Sequence, residues 1–189
     1  LVFLAISSGF VYYGLFKTIS TKKAILVILG LTVLSLVIEY GGLVSGFPYG
    51  EFSYTNLAGP KIFGVLPISV GLAWPPLVIG SYFLFQKESY SQLQQFFYPV
   101  LFLVSLDLII DPAAIRFGLW IWENGGSYFG VPIQNYFGWL LSGIAGVWLV
   151  EKILSEENFE VNHWVYFAIL VNVTFWVGFL LSRGFSFLI

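Results

Sequence analysis

Acidic residues inside apolar runs are the part of this sequence best suited to chemistry. Asp107 and Asp111 belong to the run VLFLVSLDLIID, and Glu39 lies near the end of LVILGLTVLSLVIEYGG. An ionised carboxylate at the centre of a bilayer costs at least ~2.5 kcal/mol, so such residues face the protein interior or water and are candidates for function. Asp107 and Asp111 also share one helical face, because they are four residues apart. This pattern predicts acid catalysis, with Asp107, Asp111 and Glu39 as catalytic residues.

The charges around these acids do not balance. Five acids and two bases fall in the half of the membrane protein that the sequence predicts to face outward. They are Glu39, Glu51, Asp107, Asp111 and Glu123 against Lys61 and Arg116. If they cluster, at least one carboxyl is expected to hold a proton, because burial and like charge both disfavour ionisation. We predict that Lys61 and Arg116 tune the acid pair. The structural alternatives are ion pairs of Asp107 or Asp111 with these bases, and simple solvation of Glu51 and Glu123.

Aromatic residues and one amide accompany the acids. The candidates for binding a substrate are Trp74, Trp120, Trp122, Tyr128, Trp139 and Asn135. Aromatic faces stabilise nearby cations, so an acid beside several indoles in an apolar cavity suits protonation of an alkene to a carbocation. Packing explains the aromatic residues equally well. Asn135 could orient water or tie helices together, and the second role is the commoner one.

The composition indicates which elements position these residues. The chain is 58% hydrophobic and 10% charged, whereas soluble domains are about 25% charged, and several apolar runs approach the ~20 residues that cross a bilayer. We predict an all-α integral membrane protein, one polytopic domain over 1–189, with about six transmembrane helices. They are expected at 1–16, 24–45, 63–85, 96–115, 133–154 and 163–182.

Other classes of protein are excluded by what the sequence contains. It has no cysteine and one histidine, His163, so thiolate nucleophiles and multi-histidine metal sites within the chain are ruled out. The net charge of −2 argues against nucleic acid as a partner. The chain lacks methionine even at position 1, which predicts that the native start lies upstream, and whether a further helix precedes the first one is left open.

The loops 46–62 and 116–132 are rich in glycine, proline and aromatic residues and fall on one side of the membrane. The other side holds five basic residues against three, namely Lys17, Lys22, Lys23, Lys87 and Lys152 against Lys61, Arg116 and Arg183. This bias places the motif loops on the outer side of a cell membrane. The segments FGVLPI at 63–68 and FGVPI at 129–133 also predict two parallel helix–loop–helix repeats. The alternative is that the two segments are similar only because both form a common kind of helix start, with proline in the first turn.

The motifs in these loops resemble the CruF-type hydratases of the carotenoid biosynthesis family. The first block is GFPYGEFSYT at 46–55 with GPK at 59–61 and GV at 64–65. The second is DLIIDP at 107–112 with GLWIW at 118–122, YFGVP at 128–132 and NYFGW at 135–139. The resemblance covers 39–139, the expected functional core. It implies a multi-pass helical protein that adds water to the terminal isoprenoid double bond of an acyclic carotenoid, such as lycopene or bisanhydrobacterioruberin.

The resemblance also implies a tertiary alcohol as product, no cofactor, and a lipid bilayer and other carotenoid-pathway enzymes as partners. We predict that Asp111 or Asp107 protonates the alkene and that a water held by Glu39 or Asn135 attacks the cation. Trp120, Trp122 and Trp139 are expected to flank that cation. The alternatives are a lycopene-type cyclase that uses the same protonation, a prenyltransferase that holds Mg²⁺ and a diphosphate, and a carotenoid-binding or transport protein.

Overall fold

Six α-helices make up most of the protein, as the computed structural model shows for residues 2–154, 160 and 162–182. They are α1 (Val2–Thr18), α2 (Thr21–Ser45), α3 (Ile68–Leu84), α4 (Gln92–Phe117), α5 (Ile133–Leu154) and α6 (His163–Ser182). The predicted all-α class is confirmed. Among the described residues, α2, α5 and α6 are long and apolar enough to cross a membrane. Arg183, counted above with the outer bases, lies outside the described residues.

Three helices begin elsewhere than the sequence predicts, and the first of them, α2, begins at Thr21 rather than at residue 24. Helix α3 begins at Ile68 rather than at residue 63, because the preceding segment forms a small hairpin of β2 (Lys61–Ile62) and β3 (Leu66–Pro67). Helix α4 begins before residue 96, since Ser91 and Gln94 form a capping box in which each side chain accepts from the other's backbone N–H. Local hydrogen bonds of this kind decide where an apolar run becomes helical.

Four prolines lie inside helices, and each leaves the carbonyl four residues earlier without its helical donor. For Pro75 and Pro76 of α3, Thr32 donates to Gly71 O at 3.2 Å and Ser8 donates to Leu72 O at 3.0 Å. For Pro99 and Pro112 of α4, Gln86 donates to Gln95 O at 3.1 Å and Tyr128 donates to Leu108 O at 3.3 Å. Helix α4 therefore continues through Pro112 to Phe117 instead of weakening there. In a bilayer such released carbonyls must find partners inside the protein.

A short strand pair joins the two motif loops. Strand β1 (Phe52–Tyr54) pairs antiparallel with β4 (Trp120–Trp122), so that Tyr54 lies opposite Trp120 and Phe52 opposite Trp122. The two FGV segments also share one local backbone: Phe63 and Phe129 both have φ of 51°, and the glycine after each has positive φ. Both are tight turns of the hairpin type. This agreement supports the sequence repeat locally, and the axis that would relate two whole units stays a prediction.

Tyr49 connects the first motif loop to the helices by filling a gap that two glycines leave open. A Cβ added at Gly138 of α5 would lie 2.2 Å from Tyr49 Cδ1, and one added at Gly42 of α2 would lie 2.9 Å from Cδ2 of the same ring. The ring of Tyr49 is 6% exposed. The close approach of α2 and α5 therefore depends on the absence of side chains at these two positions.

Replacing Gly138 by alanine is expected to destabilise the protein by about 1–3 kcal/mol, because the added methyl overlaps the buried Tyr49 ring. Thermal unfolding in detergent would measure this as a lower Tm. Gly41→Ala is the matched control, since nothing lies within 4 Å of a Cβ at that position in α2. Equal Tm values for the two variants would contradict the proposed packing.

Candidate functional site

Two buried aspartates and one asparagine form a polar cluster between α4 and α5. Asp107 and Asp111 are 1% and 2% exposed. Asn135 Nδ2 donates to Asp107 Oδ2 at 2.7 Å and to Asp111 Oδ2 at 2.6 Å. The structure thus brings together three residues that the sequence singled out. One amide group serves both carboxyls, and Asp107 Oδ1 has no hydrogen-bond partner among the described residues.

Further unsatisfied polar atoms lie in the part of the core next to this cluster. Trp122 Nε1 and the Tyr136 hydroxyl are buried and lack a hydrogen-bond partner within the described part of the chain. Both residues belong to a small core that also contains Tyr49, Phe52 and Val131. A buried polar group without a partner costs about 1–3 kcal/mol. Their concentration beside two aspartates is typical of a functional interior rather than of plain packing.

A cavity of about 330 Å³ opens among the helices close to this cluster. Its wall is mainly apolar and includes four indoles, namely those of Trp74, Trp120, Trp139 and Trp176. Among the described residues, Glu39 is the acid that lines it. Asp107, Asp111 and Asn135 do not line this cavity, and neither do Trp122 and Tyr128. The cavity has the size and the apolar character of a small-molecule site, with a single carboxyl facing it.

Tyr54 binds that carboxyl directly. Its hydroxyl donates to Glu39 Oε1 at 2.6 Å, and both residues line the cavity. The β1–β4 pair positions Tyr54 against Trp120, with ring centroids 5.7 Å apart. Burial, and then the charge of Glu39, raise the pKa of Tyr54 well above its usual value, so the phenol stays a hydrogen-bond donor. The sequence analysis did not single out Tyr54, although it lies in the first motif block.

Trp120 links the cavity to the aspartates. It lines the cavity, and its side chain lies near the Asp111 carboxyl. Trp120 is therefore shared by the cavity that Glu39 lines and by the surroundings of the acid pair.

The structure shows other contacts or positions for the remaining predicted residues. Lys61 Nζ donates to the Tyr54 carbonyl at 2.6 Å, so it supports Tyr54 rather than the aspartates. Arg116 is exposed in the last turn of α4. Tyr128 donates to the Leu108 carbonyl, and the ring of Trp122 packs 5.0 Å from Phe52. Their tuning and substrate-binding roles stay predictions.

These features define a class of protein: an all-α membrane protein with an indole-walled cavity and buried carboxyls beside it. The chain belongs to the family of carotenoid biosynthesis proteins, since the sequence model of that family matches residues 1–189. The family membership expected from the motifs is confirmed. The bisanhydrobacterioruberin hydratase of Haloarcula japonica is 35% identical over 184 residues, which cover 88% of this chain. The chain spans 62% of the length of that relative. No solved structure matches it.

Proposed function

We propose that this chain hydrates the terminal isoprenoid double bond of an acyclic carotenoid of the bisanhydrobacterioruberin or lycopene type. The observation that carries the proposal is the cavity in which an apolar wall of indoles faces one carboxyl, Glu39, held by Tyr54. An apolar wall suits the end of a polyene, and the carboxyl supplies the group that chemistry at an alkene requires. The family and the activity named for the relative point the same way.

The reaction needs a proton donor, a stabilised cation and a water. Glu39 gives its proton to the less substituted carbon of the double bond, forming a C–H bond and a tertiary carbocation. The faces of Trp74, Trp120 and Trp139 stabilise that cation. Water then forms the C–O bond, and the proton that it sheds returns to the Glu39 carboxylate. Because the sum adds H and OH without oxidation or reduction, the proposal requires no cofactor.

Asp107 and Asp111 form a second layer behind this site. We assign them an electrostatic role behind Glu39, since neither aspartate lines the cavity and the proton cycle of Glu39 closes without them. Direct donation by one of them, as expected from the sequence, stays a prediction that variants at the same positions test. In either role the shared Asn135 amide, within hydrogen-bonding distance of both carboxyls, sets their relative orientation.

The proposed enzyme is a multi-pass protein of the cell membrane. We place loops 46–62 and 116–132 on the outer side, on the strength of the Lys and Arg distribution. Glu39, Asp107 and Asp111 lie in the parts of α2 and α4 that lead into these loops. The site would then act on the end of a carotenoid that reaches one face of the bilayer.

Cells that make lycopene or bisanhydrobacterioruberin and express this chain are expected to accumulate carotenoids heavier by one or two waters. Mass spectrometry of extracted pigments measures this, with cells lacking the chain as the control. Unchanged mass with altered chromatographic retention would identify a cyclase, because ring closure gives an isomer. Unchanged pigments in cells where the protein is inserted would overturn the enzymatic proposal in favour of a binding or transport protein.

A further inference from the structure

Helix α6 contributes a buried amide to the same cavity. Asn172 lies midway along α6, is 5% exposed and lines the cavity together with Glu39 and Tyr54. Its Nδ2 donates to the Ala168 carbonyl one turn earlier, at 3.1 Å. That bond fixes which way the amide is turned, since only the NH₂ group can donate to a carbonyl. The amide oxygen is consequently the atom left for another partner.

This oxygen is available to a molecule in the cavity. Among the described residues no group donates to Asn172 Oδ1, and it is not among the atoms sealed from solvent by the protein. An asparagine that only connects helices would form its hydrogen bonds with a neighbouring helix. The Asn172 side chain instead donates to a carbonyl of its own helix, α6. A polar side chain in the middle of an apolar helix is costly, so an acceptor turned to the cavity requires another explanation.

The other polar groups of the cavity wall are already engaged. The Tyr54 hydroxyl donates to Glu39, and the Ser69 hydroxyl donates to the Ala58 carbonyl at 2.8 Å. The indoles of the wall are donors and cannot accept a hydrogen bond from water. Asn172 Oδ1 is therefore the neutral acceptor best placed to hold a water, with the Glu39 carboxylate of the same wall as the acceptor for its second hydrogen. Two such partners meet the minimum for an ordered water.

We propose that Asn172 binds the water that attacks the carbocation. The inference rests on the proposed hydratase function and adds to it a water-binding residue on α6. Asn172 accepts a hydrogen bond from the water, which leaves the oxygen lone pairs free to form the C–O bond. The released proton goes to the Glu39 carboxylate, and Asn172 itself neither gains nor loses a proton. Without a held water the same cation loses a proton to give an alkene again, or closes a ring.

The distribution of products tests this role separately from the rate. The reaction is run with membranes containing the full chain in D₂O, with lycopene as the probe. Hydrated ends gain deuterium and a hydroxyl, whereas ends that were protonated and then reverted or cyclised gain deuterium alone. Asn172→Leu, similar in size but without an acceptor, is expected to lower the ratio of hydrated to deuterium-only ends at least ~10-fold while deuterium uptake continues. Asn172→Asp, which keeps an acceptor oxygen, is expected to restore part of that ratio.

Thr174→Val is the matched control, because it removes a hydroxyl from the same helix at an exposed position outside the cavity. This control is expected to keep the wild-type ratio. A wild-type ratio in an inserted Asn172→Leu protein would overturn the inference. If Asn172→Leu does not insert, Asn172→Ala replaces it, and failure of both to insert would show a structural role and also overturn it. Absence of any hydrated product from the wild-type chain would overturn the hydratase proposal itself.

Discussion

Glu39→Gln is expected to lower carotenoid hydration by about 10²–10⁴-fold, the usual contribution of a positioned general acid. The substitution is nearly isosteric, and the glutamine oxygen still accepts from the Tyr54 hydroxyl, which now donates to Glu39 at 2.6 Å. The shape of the cavity and the β1–β4 pair are therefore retained. What is lost is the proton that the carboxyl gives to the alkene and takes back from the water. Initial rates of product formation in membranes, normalised to inserted protein, measure the effect.

Glu123→Gln is the control for this experiment. Glu123 lies in the same group of predicted outer acids, but its side chain is exposed and does not line the cavity. The control is expected to hydrate carotenoids at the wild-type rate. An inserted Glu39→Gln protein with undiminished activity would contradict the assignment of Glu39 as the donor and would move that role to the aspartates.

Asp107→Asn and Asp111→Asn are each expected to lose most of the activity while the protein still inserts. Each substitution turns a carboxyl that the Asn135 amide contacts into an amide that can neither store nor pass a proton. The size of the loss distinguishes the two roles. A loss that equals that of Glu39→Gln indicates that an aspartate donates directly to the alkene, whereas a smaller loss indicates an electrostatic role behind Glu39.

Single-turnover kinetics give a second measurement. With protein in excess of carotenoid, Glu39→Gln is expected to be impaired in one turnover as in repeated turnovers, because the proton donor is missing in both. An electrostatic role of the aspartates predicts a smaller loss in both regimes. Two aspartate variants that insert and keep full activity in both regimes would refute any catalytic part for the pair.

The sequence predicts much of this molecule because its strongest signals are local. Long apolar runs give the number of helices, and the four-residue spacing of Asp107 and Asp111 places them on one face of α4. Which of the acids lines the cavity is not determined by local sequence. It depends on β1 pairing with β4, about 70 residues away in sequence, which brings Tyr54 to Trp120 and the cavity. No property of either short segment alone indicates that partner.

Lys61 and Pro112 also show that local sequence does not determine tertiary contacts. The charge of Lys61 predicts an effect on the acids, and its position in the hairpin additionally gives its ammonium a hydrogen bond to the Tyr54 carbonyl. Pro112 indicates a weakened helix when only its neighbours in sequence are considered. Tyr128, 16 residues later, donates to the released Leu108 carbonyl and so makes the continued helix acceptable. Tertiary partners override local preference at both positions.

The donors to the carbonyls released by proline are synthesised at different times relative to the helices that they serve. Ser8 and Thr32, which serve α3, both precede that helix in the chain, so α3 can enter the bilayer with its partners already made. Helix α4 differs, because the Leu108 carbonyl, between the two aspartates, waits for Tyr128 in the loop that follows. The hydrogen bonds of the segment that bears the acid pair are therefore completed only after residue 128 has been synthesised. Of the four carbonyls released by proline, the last to gain its donor during synthesis is therefore the one beside the acid pair.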